Sequence, residues 1–156
     1  MKRFLFSVLA ICLLSVAGAY LTYRMVGLPD RSVGCDPDLL PEHHVCLETV
    51  RDWPANDVLW VDARPRVEWE RNGVEGSVLV NDQEDWLDLE FEFLGRLNES
   101  PRSKVVVYCN QTGCGSSKYV ADRLRERHAG TYGLEVFVLE GGSKALAAET
   151  MAEGGR

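Results

Sequence analysis

Short apolar runs that alternate with segments of helical periodicity place the strongest constraint on the fold of this chain. Residues 58–61, 78–80, 105–108 and 136–139 are such runs, and continuous apolar runs of this length are typical of strands buried on both faces of a parallel sheet. Between the second and third runs, apolar residues recur at i, i+3, i+7, i+8 and i+11, which predicts an amphipathic helix. These residues are Trp86, Leu89, Phe93, Leu94 and Leu97.

The order of these segments predicts an α/β fold with a central parallel sheet and helices on its faces. A second helix is predicted over residues 116–128, and Gly141-Gly142 end the last strand before a short helix rich in alanine. In sheets of this kind the ligand lies beyond the carboxyl ends of the strands. The residues that follow the strands are therefore the candidates for a functional site.

The size and the charge of the chain limit its class and its partners. It has 156 residues, of which 46% are hydrophobic, and this is enough for about one globular domain. The net charge is −7, and no stretch is rich in Lys or Arg. Because binding to phosphates needs clustered positive charge, the sequence argues against nucleic acid as a partner.

The N-terminal segment 4–23 holds twenty residues without a charge. As a helix it would span roughly 30 Å, the thickness of the hydrocarbon core of a bilayer. We therefore predict a transmembrane anchor within residues 1–24, with Tyr20 and Tyr23 at the membrane interface. The alternative is a cleaved signal peptide, because residues 17–19 read Ala-Gly-Ala. The retained anchor is favoured because apolar residues continue beyond that site.

The charges on either side of this segment predict its orientation. Lys2 and Arg3 precede it, whereas Arg24 and Arg31 follow it with Asp30 between them. This small bias favours a single-pass protein with a cytoplasmic N-terminus and an extracytoplasmic domain. If a signal peptide were cleaved instead, the domain would be exported as a soluble protein.

The rest of the chain divides into three predicted parts. Residues 25–42 hold two glycines and three prolines with little periodicity, so they are predicted to form a linker. The periodic segments then predict a domain over residues 43–150. A flexible tail is predicted over residues 151–156.

Cys109 occupies the position at which a site in such a sheet is expected. It follows the strand 105–108 and opens a small polar loop, beyond which a helix begins near Ser116. Loop N–H groups and the positive end of that helix can converge on the sulfur, which would lower the pKa of the Cys109 thiol and stabilise a thiolate or a persulfide. The alternative is a small buried cysteine that ends a strand. The predicted active-site loop comprises Asn110, Gln111, Thr112, Gly113, Cys114, Gly115, Ser116 and Ser117.

Three blocks, in order, resemble the rhodanese (sulfurtransferase) family. Residues 58–64, which read VLWVDAR, followed by Glu68-Trp69 and Gly76-Ser77, look like the family's strand-Asp-x-Arg signature and the segment after it. Residues 106–117 look like its active-site loop. Residues 136–142, which read VFVLEGG, are similar to its closing block.

The resemblance runs over about residues 45–147 and implies a rhodanese-like three-layer fold with about five strands. It also implies that Cys109 accepts a sulfane sulfur as a persulfide and passes it to a nucleophile. The implied partners are a small sulfane-sulfur donor and a thiol or other nucleophilic acceptor, and no cofactor is predicted. The first functional hypothesis is therefore a membrane-anchored sulfurtransferase.

The loop departs from the family's common pattern in ways that support a second hypothesis. Ser117, the serine at the helix start, comes eight residues after Cys109, so the loop is two residues longer. Ser116 stands where the family has a substrate-binding Arg, and residues 72–77 lack the family's His. A catalytically weak binding or sensing module fits these departures, and thiosulfate is in doubt as the donor. A cysteine-based phosphatase is disfavoured because Gly115 stands where that chemistry needs an Arg.

Cys114 supports a third hypothesis, a thiol-redox protein. It lies five residues after Cys109 in the same loop. A second thiol there could attack a persulfide or a sulfenic acid on Cys109 and close a disulfide. The alternative is that Cys114 is a small loop residue without a chemical role.

Charged residues near the strand ends are predicted to support the site. Asp62 and Arg64 are expected to form a structural pair near the carboxyl edge of the sheet, and Lys118 could supply the positive charge that the missing Arg would give. The acidic run over residues 82–92 is expected to be a solvated helix face.

Two cysteines near the linker are predicted to form a disulfide. Cys35 and Cys46 lie with His43 and His44 in a cluster that could ligate zinc, but the spacing matches none of the usual zinc patterns. A Cys35–Cys46 disulfide is favoured because the domain is predicted to be exported. No metal is predicted.

Overall fold

The computed structural model describes residues 15, 16, 18, 20, 35–110 and 115–153, with the backbone alone for 148–153. The chain forms two units, residues 1–32 and residues 33–156. The four described residues of the first unit are helical, and the rest of the predicted anchor and signal site lies outside the described residues. Among the helices that are described, none is long and apolar enough to cross a membrane.

In the second unit, five strands form one parallel sheet in the order β1-β5-β4-β2-β3. Strand β4 lies at the centre, and its three consecutive valines have no exposed surface, which explains why the run is apolar on both faces. The α/β fold with a central parallel sheet, predicted from the alternation of segments, is therefore confirmed. The strands are β1 (His44–Val45), β2 (Val58–Asp62), β3 (Val78–Leu79), β4 (Lys104–Tyr108) and β5 (Glu135–Leu139).

Six α-helices and several shorter turns connect the described strands. The helix predicted over 116–128 begins one residue earlier, at Gly115, and continues through a π-helical turn at Arg125–Ala129. The last helix reaches Glu153, inside the segment predicted as a tail. The helices are α1 (Leu47–Arg51), α2 (Arg66–Asn72), α3 (Trp86–Glu99), α4 (Gly115–Leu124), α5 (Gly130–Tyr132) and α6 (Gly142–Glu153), with 3₁₀ turns at Pro37–Leu39 and Ala55–Asp57.

The two faces of the sheet carry separate apolar cores, so the domain has three layers. On one face, the side chains of Val105 and Val107 pack with those of α3 and α4. On the other face, Val106 and Tyr108 pack with residues of α1 and α6. Because side chains alternate along a strand, Cys109 continues the series of Val105 and Val107 and lies in the core beneath α3 and α4.

Within the described part, the acidic run was expected to be a solvated helix face, and Asp82, Asp85, Asp88 and Glu92 are exposed. The expectation is wrong for Glu90, whose side chain is only 8% exposed. Arg127 Nε donates to Glu90 Oε1 at 2.6 Å, and His128 Nε2 lies 2.7 Å from the same oxygen. A carboxylate can be buried when partners satisfy it, and these partners lie more than 35 residues away in sequence.

Cys35 and Cys46 are joined by a disulfide with a Cα–Cα distance of 5.7 Å. The bond ties the segment before β1 to the residue that follows it. His44 instead contacts Glu140, with Nδ1 3.2 Å from Oε2. In the described ranges, no group of three or more side chains is arranged to hold a metal ion.

Candidate active site

Cys109 is the first residue after β4, at the carboxyl end of the central strand. Its exposed fraction is 2%. The hydroxyl of Ser117 donates to its sulfur at 3.4 Å. The sulfur is also part of a disulfide, whose second cysteine lies outside the described residues.

The start of α4 brings the serines of the predicted loop to this point. Ser117 is 3% exposed, and its neighbour Ser116 donates through its hydroxyl to Asp82 Oδ2 at 3.0 Å. Ser117 therefore faces the cysteine, whereas Ser116 joins α4 to the connection between β3 and α3. Residues 111–114 lie outside the described residues, so the expected convergence of loop N–H groups stays a prediction.

A tight turn after β5 forms the opposite side of the site. Gly141 and Gly142 both have positive φ, at 78° and 56°, a conformation that glycine adopts without strain. The turn lets the Ser143 N–H donate to the Cys109 carbonyl at 2.6 Å, and the Ser143 hydroxyl donates to the Asn110 carbonyl at 3.4 Å. Ser143 was not predicted as a site residue, although the Gly-Gly pair was the signal for such a turn.

The predicted pair of Asp62 and Arg64 lies one strand away, after β2. Arg64 Nη2 donates to Asp62 Oδ2 at 2.7 Å and Nε donates to Oδ1 at 2.9 Å. The two side chains are 0% and 3% exposed. The hydrogen bond to Asp62 raises the pKa of Arg64, and the two parallel bonds hold the guanidinium in one geometry.

Tyr108 links this pair to the strand that carries Cys109. Its hydroxyl donates to Asp62 Oδ2 at 2.7 Å and accepts from the Val74 N–H at 3.0 Å. Burial raises the pKa of Tyr108 to about 12. This role was not predicted, because a tyrosine at the end of an apolar run cannot be distinguished from an ordinary core residue in the sequence.

A second polar network lies beside the first, at the end of β3. Asn81 is buried, and its amide donates to the Arg64 carbonyl at 3.3 Å and to Glu84 Oε1 at 3.0 Å. Arg66 in turn donates to Glu84 Oε2 at 2.6 Å. The connection between β3 and α3 is therefore fixed to the residues that follow β2.

Two of the predicted residues have no described contact with the sulfur. The side chains of Lys118 and Asn110 are exposed. Arg64 is bound to Asp62 and Arg66 is bound to Glu84. Within the described residues, it is the hydroxyl of Ser117 that contacts the sulfur, at 3.4 Å.

A cysteine at the carboxyl end of the central strand, with a helix that begins six residues later, defines a class of three-layer α/β proteins with a cysteine site. The sequence matches the family described as "Rhodanese-like domain" over residues 48–149. The chain therefore belongs to the rhodanese-like domain family, which supports sulfurtransferase or a related activity at the level of the family. No curated protein matches the chain.

Two solved structures resemble the chain. The first is the As-Sb reductase from Leishmania major, with 19% identity and a TM-score of 0.53 over 72% of this chain and 80% of that chain. The second is the N-terminal domain of a protein described as ATP/GTP binding from Clostridium difficile 630, with 17% identity and a TM-score of 0.46 over 69% of this chain and 98% of that chain. At these identities the reductase shows a likeness of fold alone.

Proposed function

We propose that the protein is a sulfurtransferase that carries sulfane sulfur as a persulfide on Cys109. The observation that carries the proposal is the position of this sulfur at the end of β4, within reach of the buried Ser117 hydroxyl. A hydroxyl that donates to sulfur stabilises the anionic form, whether thiolate or persulfide. Family membership supports the same class of chemistry.

The proposed reaction has two displacement steps. The Cys109 thiolate attacks the outer sulfur of a small sulfane-sulfur donor, a new S–S bond forms, and the rest of the donor leaves with the electron pair. An acceptor nucleophile, such as a thiolate, then attacks the terminal sulfur and releases the Cys109 thiolate. If Cys109 is in a disulfide before the reaction, a thiol reductant must first break that bond.

The site favours a donor whose leaving group needs no guanidinium partner. Ser116 stands where the family's substrate-binding Arg would be, and it is bound to Asp82. Thiosulfate is a dianion that such an Arg would hold, so a persulfide of a small thiol fits the site better. Lys118 can add positive charge only by moving from its exposed position on α4.

The intact mass of the reduced, purified protein after exposure to several sulfane-sulfur donors tests the proposal. We expect one added sulfur in the wild type and in Cys114→Ser, and none in Cys109→Ser. A protein that gains no sulfur from any donor would instead support the binding or sensing module.

A second candidate function is thiol-disulfide exchange between Cys109 and Cys114. The specific observation in its favour is that Cys109 is disulfide-bonded in the structure. Cys114 is five residues away, and attack by its thiolate on a Cys109 persulfide would release hydrosulfide and close the disulfide. In the same mass experiment, loss of two hydrogens without an added sulfur in the wild type, but not in Cys114→Ser, would favour this function.

We further propose that residues 4–23 anchor the protein in a membrane, with the N-terminus in the cytoplasm and the rhodanese-like domain on the other side. The support is the uncharged length of this segment and the charges that flank it. Alkaline carbonate extraction and N-terminal sequencing of the mature protein test the anchor. Release into the soluble fraction, or a mature N-terminus at Tyr20, would favour a cleaved signal peptide.

A further inference from the structure

Helix α3 exposes two large apolar side chains. Leu87 is 69% exposed and Phe91 is 79% exposed. They are four residues apart, so they lie on the same face of the helix, one turn from each other. The buried face of α3 is formed by other residues, among them Leu89 and Phe93, so the packing of the domain does not require this exposed pair.

Three carboxylates lie beside the apolar pair. Asp85, Asp88 and Glu92 are all exposed, and Asp88 and Glu92 line a groove beside Phe91. Arg66 also lines this groove, but Glu84 forms an ion pair with it at 2.6 Å. We call Leu87, Phe91 and these three carboxylates the α3 patch, and its charge is negative.

The connection that leads into α3 contacts the residues around the cysteine. Asp82 and Asp85 both belong to the connection that leads from β3 into α3. Asp82 accepts from the hydroxyl of Ser116, and the next residue, Ser117, donates to the sulfur of Cys109. Asp85 lies three residues after Asp82, so the N-terminal end of the patch lies within about 10 Å of the residue that contacts the start of α4.

We propose that the α3 patch docks a basic, amphipathic segment of a protein that exchanges sulfur with Cys109. Apolar side chains on such a segment would cover Leu87 and Phe91, and its Lys or Arg residues would face Asp85, Asp88 and Glu92. Its role as sulfur donor or acceptor rests on the proposed function, but the docking itself does not. In the transfer step, a thiolate of the partner attacks the terminal sulfur of the Cys109 persulfide, and the Cys109 thiolate leaves.

The chemistry of the patch disfavours the other occupants. An anionic lipid surface would be repelled by three carboxylates. A second copy of this chain carries a net charge of −7, and pairing through this face would bring like charges together. The carboxylates favour a basic partner, and the apolar pair favours one that also has an apolar face.

A synthetic helical peptide tests the proposal directly. The probe is a short labelled peptide with Leu on one face, Lys on the other and a single Cys, and its control has Glu in place of Lys. Binding to the full-length chain, kept in solution with a nonionic detergent, is measured by fluorescence anisotropy. We expect the Lys peptide to bind, the Glu peptide not to bind, and affinity for the Lys peptide to fall as salt is added.

Variants then test whether the peptide binds to the patch. Phe91→Ser and the double variant Asp88→Lys, Glu92→Lys should each weaken binding about tenfold, whereas Leu39→Ser and Glu99→Lys, which change an exposed apolar residue and an exposed acid elsewhere, should not. Sulfur transfer from Cys109 to the peptide thiol should fall with the first two variants, while transfer to a small thiol stays unchanged. Absence of any persulfide in the wild type would defeat the proposed function but leave the binding result intact.

Three results would overturn the docking proposal. One is binding of the Lys peptide that is equally strong in all variants, or equally strong for the Glu peptide. Another is self-association of the wild type in sedimentation that Phe91→Ser abolishes, because a second copy would then occupy the patch. The third is binding of the chain to anionic vesicles that depends on Phe91, because the patch would then face a membrane.

Discussion

The hydroxyl of Ser117 lies 3.4 Å from the sulfur of Cys109, and both side chains are almost fully buried. They come from different elements, since Cys109 follows the central strand and Ser117 belongs to the first turn of α4. The contact therefore joins the end of the central strand to the start of α4. It gives the sulfur a polar neighbour in an otherwise apolar core, and a hydrogen bond from that neighbour favours the anionic form of the sulfur, which burial alone disfavours.

Replacing Ser117 should make Cys109 a less reactive thiol. In Ser117→Ala the thiolate loses a hydrogen bond, and such bonds to charged groups contribute about 1.5 kcal/mol or more. We therefore expect alkylation of reduced Cys109 at neutral pH to slow by about tenfold. Ser116→Ala, which removes the bond to Asp82 instead, is the matched control. Equal alkylation rates in wild type and Ser117→Ala would contradict the assigned role of this hydroxyl.

Tyr108 should make stability depend on alkaline pH. Burial raises its pKa to about 12, above the value near 10 expected in the unfolded chain. The native state thus holds this proton more tightly, so the stabilisation is complete below about pH 10 and is lost as the pH rises towards 12. Urea unfolding across this range should show a larger loss in wild type than in Tyr108→Phe.

At neutral pH the same variant reports on the hydrogen bonds of Tyr108. Tyr108→Phe removes the donor to Asp62 and the acceptor for the Val74 N–H, so it should unfold more easily, by about 1–2 kcal/mol. If its urea midpoint equals that of wild type at pH 7 and falls in parallel with it up to pH 11.5, then Tyr108 has no such role.

The strands of the sheet were predictable because burial on two faces leaves a simple pattern. The run from Val105 to Tyr108 is apolar throughout, and it forms the central strand. In contrast, β1 has only two residues, and none of the residues of α2 is buried. Neither element therefore leaves a periodic pattern in the sequence. Their existence depends on neighbours that the sequence pattern does not display.

The candidate site was predictable only in part, for a related reason. The positions of Cys109 and Asp62 follow from the ends of strands, which the apolar runs mark. The bond from Ser143 to the Cys109 carbonyl joins residues 34 positions apart, and the burial of Glu90 depends on Arg127 and His128. Long-range partners of this kind are determined by packing. The prediction from local composition therefore placed Glu90 wrongly on a solvated surface.

The disulfide between Cys35 and Cys46 should stabilise the domain. The two residues are separated by 11 positions, and closing a loop of about this size constrains the unfolded chain by about 3 kcal/mol. The double variant Cys35→Ser, Cys46→Ser should therefore have a lower urea midpoint than wild type under non-reducing conditions. Thiol labelling of the denatured, non-reduced protein should miss both cysteines, and quantitative labelling of either would contradict the bond.

Glu90 should make the domain sensitive to acid. Burial acts to raise the pKa of Glu90, but hydrogen bonds from Arg127 and His128 leave this pKa below its usual value. The carboxylate then stabilises the native state above the unfolded pKa of about 4.3, and this contribution is lost as the pH falls through the lower native value. Glu90→Gln should lower stability at pH 7 by about 1–3 kcal/mol. Its unfolding midpoint should change less than that of wild type between pH 5 and pH 3.

The rate of sulfur transfer in Cys109→Ser tests the central claim most directly. The variant is compared with wild type and Cys114→Ser, after reduction, with a persulfide donor and a small thiol acceptor. Circular dichroism should show that Cys109→Ser is folded, because the change is nearly isosteric. We predict that Cys109→Ser transfers no sulfur above the uncatalysed rate, whereas Cys114→Ser forms the persulfide as wild type does. Full activity in Cys109→Ser would contradict the assignment of Cys109 as the residue that carries sulfur.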